Sequence, residues 1–98
     1  MGGMATFVML STLGPDGAAT LRENPKRLKQ VNAEVEAMGG HVVVQYALLG
    51  QWDFLNIIEA PDEVTMAKIA TVLTSRGTVK TRTLVAVDID RFIKALEE

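Results

Sequence analysis

"HVVVQYALLGQWDFLNIIEA", residues 41–60, sets two strand-like runs on either side of one glycine. Both runs are rich in β-branched, aliphatic and aromatic residues, which suit a pleated, half-buried surface. Between them Gly50-Gln51 fits a two-residue type II′ turn, whose first central position takes Gly. That turn sets Leu49 opposite Trp52 and Gln45 opposite Asn56, and the register decides which side chains share a face. One face then carries Val42, Val44, Tyr46, Leu48, Leu55 and Ile57, with Asp53 and Glu59 at its ends, and is expected against helices. The other carries His41, Val43, Gln45, Ala47, Leu49, Trp52, Phe54, Asn56 and Ile58. A sheet with one wet side should alternate polar and apolar residues, but this hairpin is apolar on both. The second face therefore calls for a cover, and a second copy of the chain is the simplest one.

Outward from the hairpin, Ala5–Leu10 forms a first strand that ends at the Gly14-Pro15-Asp16-Gly17 loop. Asn24-Pro25 reads as an N-cap and first helical position, followed by Leu28, Val31, Val35 and Met38 at helical spacing and a stop at Gly39-Gly40. After Ala60, Pro61-Asp62 opens a second helix with Val64, Ala67, Ile69, Ala70 and Leu73 as its buried stripe, closed by Gly77. Thr78–Val87 is a fourth strand. Asp88 or Asp90 caps a short C-terminal helix bearing Phe92, Ile93 and Leu96. The order predicts a single domain over residues 1–98. Its fold is a ferredoxin-like βαββαβ α+β sandwich, with a four-stranded antiparallel sheet and the helices on one side.

The 98-residue chain is 48% hydrophobic and 22% charged, has a net charge of -2 and contains no cysteine. Such a composition builds a packed core, and it lacks the basic footprint that nucleic-acid backbones require. Without cysteine there is no disulfide framework, thiolate metal site or cysteine catalysis. The N-terminus lacks a basic leader region and its apolar run is too short for a membrane span, so a cytoplasmic protein is expected, with no membrane or nucleic-acid partner. Met1-Gly2-Gly3 is left out of the fold reading.

The stretch from Leu49 to Glu63, the earlier "NPKR" and the later "GTVKTRTLVAV" resemble the GYD family, small bacterial and archaeal proteins of uncharacterised function. The family's Gly-x-Tyr-Asp motif corresponds to Gly50-Gln51-Trp52-Asp53, with Trp in place of Tyr. Trp52 brings an indole N–H and no ionisable phenol, so a family role resting on a tyrosine hydroxyl would not transfer. The resemblance runs from about Thr6 to Val87. It implies a dimeric α/β-barrel arrangement, in which two ferredoxin-like sheets face each other.

Trp52 and Asp53 fit either of two uses. As turn residues, Trp52 packs across from Leu49 while Asp53 satisfies backbone amides or pairs with Arg82 or Lys80. As site residues, they stand at the mouth of a cleft, with Asp53 as an acid or anchor. His41, the sole histidine, begins a strand; a hydrogen-bonded strand end is the plain account and a proton acceptor the functional one. A lone histidine gives no metal-ligand spacing, and no metal or cofactor is expected. Gln45 and Asn56 must bond to each other, to water, to a partner chain or to a ligand, since each left buried and unpaired costs about 1–3 kcal/mol. Arg82 could grip a carboxylate or form a surface ion pair. Arg22, Lys26, Arg27 and Lys29 make a small basic cluster whose ordinary fate is a solvated face.

These features point to a homodimer, extensible to a higher oligomer, that works as a ligand-binding or regulatory module with an apolar cavity on the second sheet face. Gln45, Trp52, Asn56 and Arg82 are its candidate binding residues and a small apolar or aromatic molecule its candidate ligand. The alternative is a cofactor-independent monooxygenase or isomerase of the same fold group, with His41 or Asp53 as the catalytic candidate. A shared fold does not choose between them.

Overall fold

Along β1 (Ala5–Leu13), Phe7, Met9 and Ser11 are buried while Thr6, Val8 and Leu10 are only half-buried, the two-residue period of a strand with unlike faces. The computed structural model describes residues 3–14, 16–77 and 79–98. Pro15 of the expected loop and Thr78 at the expected start of the last strand lie outside them. β1 is followed by α1 (Gly17–Glu23), α2 (Arg27–Ala37), β2 (His41–Ala47), β3 (Phe54–Ala60), α3 (Glu63–Thr74), β4 (Val79–Ala86) and α4 (Ile89–Glu97). The strands form one antiparallel sheet in the order β2-β3-β1-β4, the ferredoxin-like α+β arrangement.

α2 ends in a Schellman motif. Gly40 N–H donates to Val35 O and Gly39 N–H to Glu36 O, both at 3.0 Å, while Gly39 adopts φ +95°. Gly40 then passes between helix and sheet so closely that a Cβ there would lie 2.8 Å from Ile69 Cδ1 and 2.9 Å from Val35 Cγ1. Asp62 caps α3, its Oδ1 accepting from Thr65 N–H at 2.8 Å, and these bonds hold its carboxyl below the usual range. Asp88 caps α4 by accepting from the N–H groups of Asp90 and Arg91.

Three local expectations change. Asn24 closes α1, an element read from the sequence as loop, and α2 begins only at Arg27. Pro25 has no N–H and biases Asn24 toward extended backbone, so it interrupts the helical run rather than opening it. β1 continues past Leu10 to Leu13 because Ser11, Thr12 and Leu13 pair with Thr81, Lys80 and Val79. The buried stripe of α3 is Met66, Ile69 and Leu73, whereas Val64 is 73% exposed and Ala67 is exposed.

The hairpin keeps its expected register, with Gln45 opposite Asn56 and Ala47 opposite Phe54, but the helices lie on the other face. Phe54, Asn56, Ile58 and Ala60 are buried beneath them, while Leu55 and Ile57 point to the open side. Both faces are apolar, so hydrophobicity does not choose; right-handed crossovers through α2 and α3, given the strand directions, do. A bulge between Val42 and Val44 returns Val42 to the helix side, opposite Ile58 and against the core. That core joins Phe7, Met9, Val35, Ile58, Ala60, Met66, Ile69 and Leu73.

Candidate ligand-binding site

The polar residues that looked out of place on an apolar sheet fall on the helix side, in two rows. Gln45, Asn56, Met9 and Thr83 form one, and Ala47, Phe54, Ser11 and Thr81 the next. Here the sheet does not meet the helices in close contact. A cavity of about 100 Å³ separates them, floored by Met9, Ser11, Asn56, Phe54 and Thr81 and walled by Leu28 and Val31 of α2 and Leu73 of α3. Gly17, Thr20 and Leu21 of α1 complete its lining, and it remains partly open to solvent.

Gln45 is committed to the protein. Its Oε1 accepts from Asn32 Nδ2 at 3.3 Å and its Nε2 donates to Leu28 O at 3.4 Å, tying β2 to α2. Asn56 is not so engaged: it is 6% exposed, and its buried Oδ1 has no protein hydrogen-bond partner, a condition it shares with Thr83 Oγ1 in the same row and with Asn32 Oδ1. A buried carboxamide oxygen left this way is costly, and native structures place very few of them.

Two arginines border the cavity. Arg76 donates to Glu34 Oε1 at 2.9 Å, and the pair shifts both groups toward their charged forms, Glu34 below and Arg76 above the ordinary values. Arg27, half-buried at the start of α2, forms no ion pair among the described residues.

The other sequence candidates lie outside this cavity. His41 is exposed at the start of β2, its Nδ1 2.6 Å from Glu36 Oε1; that hydrogen bond, reinforced by the carboxylate's charge, raises its pKa. Asp53 Oδ2 accepts from Leu13 N–H at 2.8 Å while Asp53 N–H donates to Ser11 O, so Asp53 fastens the hairpin to the end of β1. Gly50 takes φ +120°, a conformation that favours glycine, but the expected two-residue turn is not formed: Leu48 N–H donates to Asp53 O at 2.7 Å and closes a four-residue loop over residues 49–52. The Arg82 guanidinium stands 5.9 Å from the centre of the Trp52 ring, a cation–π pair at the hairpin end of the sheet.

Sequence reasoning missed Ser11, Thr81, Arg76 and the α1 residues. Ser11 and Thr81 continue the strand alternation beyond the apolar run, which was the available signal; Gly17-Ala18-Ala19 offered none, being too short a segment to show a helical period.

Residues 7–96, nearly the whole chain and both cavity-forming layers, match the GYD domain. The chain belongs to the GYD family. A Thermus thermophilus relative named "Glutamine synthetase and cystathionine beta-lyase binding protein" is 50% identical over 95 residues, spanning 96% of this chain and all of the relative. No solved structure shows a significant match. The likeness of this GYD protein to that relative therefore runs over nearly the whole of both chains. Among its described residues no helix is long and apolar enough to cross a membrane.

Proposed function

We propose that this GYD protein is a cytoplasmic homodimeric regulatory module that docks on metabolic enzymes and carries a small ligand in the cavity beneath α1. The likeness over the full length of a relative named for binding glutamine synthetase and cystathionine beta-lyase carries this reading. The surface supplies a means. On the open face Val44, Ile57, Val8 and Leu84 form one cross-strand row and Tyr46, Leu55, Leu10 and Arg82 the next. Ile89, Phe92, Ile93 and Leu96 add a second apolar stripe along α4, from 47% to 71% exposed. Covering ~400 Å² of apolar surface contributes about 10 kcal/mol, within the ~4–15 kcal/mol cost of association. A dimer therefore needs more than one sheet row, and the sheet rows together with α4 provide it. In this arrangement Gln45 and Asn56 serve the ligand, while Trp52 and Arg82 stand where the hairpin meets a protein partner.

Light scattering over a dilution series, paired with surface plasmon resonance against purified glutamine synthetase and cystathionine beta-lyase from the same organism, tests it. A dimer that binds either enzyme saturably is expected. A monomer that binds neither would overturn the proposal.

A further inference from the structure

Asn56 and the cavity together define the ligand more closely than the binding reading on which this inference rests. Room for one water takes roughly 10–15 Å³, so a cavity of about 100 Å³ holds roughly seven to ten non-hydrogen atoms. Phe54, Leu28, Val31 and Leu73 offer that molecule apolar walls. Asn56 Oδ1, buried and without a partner, calls for a hydrogen-bond donor. Arg27 offers a guanidinium at the border, and with Arg76 spent on Glu34 the three charges leave an excess of one positive charge there.

We infer that the cavity between the sheet and α1–α2 binds a small amphipathic carboxylate, its apolar body against those walls, its hydrogen-bond donor on Asn56 and its carboxylate on Arg27. Gln45 positions the site by holding α2 to β2 through Asn32 and Leu28. A ligand donor would satisfy this carboxamide oxygen, which has no protein partner. A site built to hydrogen-bond a donor also discriminates strongly against an analogue that lacks it.

Three probes separate the contributions. 4-Hydroxybenzoate carries the apolar ring, donor and carboxylate; benzoate lacks the donor; 4-hydroxybenzamide lacks the charge. Each is titrated into the full chain by calorimetry and by amide NMR, with thermal melting run beside them. Saturable binding of 4-hydroxybenzoate with shifts at Ser11, Asn56 and Thr81 is expected, at least tenfold tighter than benzoate. Asn56→Leu, which keeps the side-chain branching and removes both polar groups, is expected to abolish the preference for 4-hydroxybenzoate over benzoate while the melting temperature stays level or rises. Arg27→Gln is expected to weaken both carboxylates at least tenfold and leave 4-hydroxybenzamide unchanged.

Absence of saturable binding by all three probes would overturn the inference, as would an Asn56→Leu protein that melts lower and still prefers the hydroxyl, since Asn56 would then serve the fold. Enzyme docking measured on the same variants keeps the two proposals apart. Docking that survives while the probes fail removes the ligand class alone; probe binding without docking removes the partner reading alone.

Discussion

The two faces of the sheet are built from alternate residues of the same strands, yet they do different work. On the helix side Ile58 and Ala60 are fully buried, and the polar row beside them is either tied to α2, as Gln45 is, or held in a cavity, as Asn56 is. On the open side Ile57 and Leu55 are half-buried, Tyr46 is 59% and Leu84 48% exposed, and the polar groups, Arg82 among them, stand at the ends of the rows. The internal face combines stability with a polar pocket, whereas the external one is an apolar centre with charged ends, suited to another protein. A polar residue within an apolar layer is the more informative signal, because apolar residues on a surface are common.

Adjacent isoleucines test the contrast most sharply. Ile58→Ala removes a side chain from the closed core and is expected to lower stability by about 2–5 kcal/mol, read by urea unfolding and independent of protein concentration. Ile57→Asp is expected to leave the monomer folded and weaken self-association at least ~100-fold, equivalent to about 2.7 kcal/mol, read by light scattering on dilution. If both variants lost stability at every concentration, the open face would be part of the fold rather than an interface.

Gly40→Ala probes the tightest approach on the helix side. The added methyl meets Ile69 and Val35 inside contact distance, and overpacking of this kind costs about 1–3 kcal/mol. Melting of the variant at the parent temperature would mean that both side chains move aside freely.

The smallest effect belongs at the sheet's edge, where His41 and Glu36 pair in the open. Glu36 raises the folded pKa of His41 above its ordinary 6.5, so the pair's stabilisation is complete below the unfolded value and fades as pH rises through the folded one. Glu36→Gln is expected to return the ring's NMR titration toward 6.5 and to remove this pH dependence. An unmoved titration would exclude Glu36 as the cause.

Much of this was legible in the residues. Alternation, the Gly50 turn and the Gln45–Asn56 opposition come from local geometry, and so do the glycine stop of α2 and the aspartate caps of α3 and α4. Each depends on residues a few positions apart; the length of the loop at Gly50, four residues rather than two, was not legible, because both lengths set Gln45 opposite Asn56. The GYD resemblance was readable on the same grounds, from short motifs around that turn. α1 was not, because seven residues cut off by Pro25 show no period.

The sequence by itself determined every element but α1, their order and the presence of two apolar sheet faces. Only the tertiary structure decided which face the helices cover, and with it whether Gln45 and Asn56 look outward to a partner or inward to a cavity. Two apolar faces have similar affinities for a helix layer, so composition cannot separate them. The handedness of the crossovers can, and it brings Asn56 under the helices while leaving Ile57 on the open face; the bulge at Val42–Val44 acts on Val42, which it turns back to the helix side.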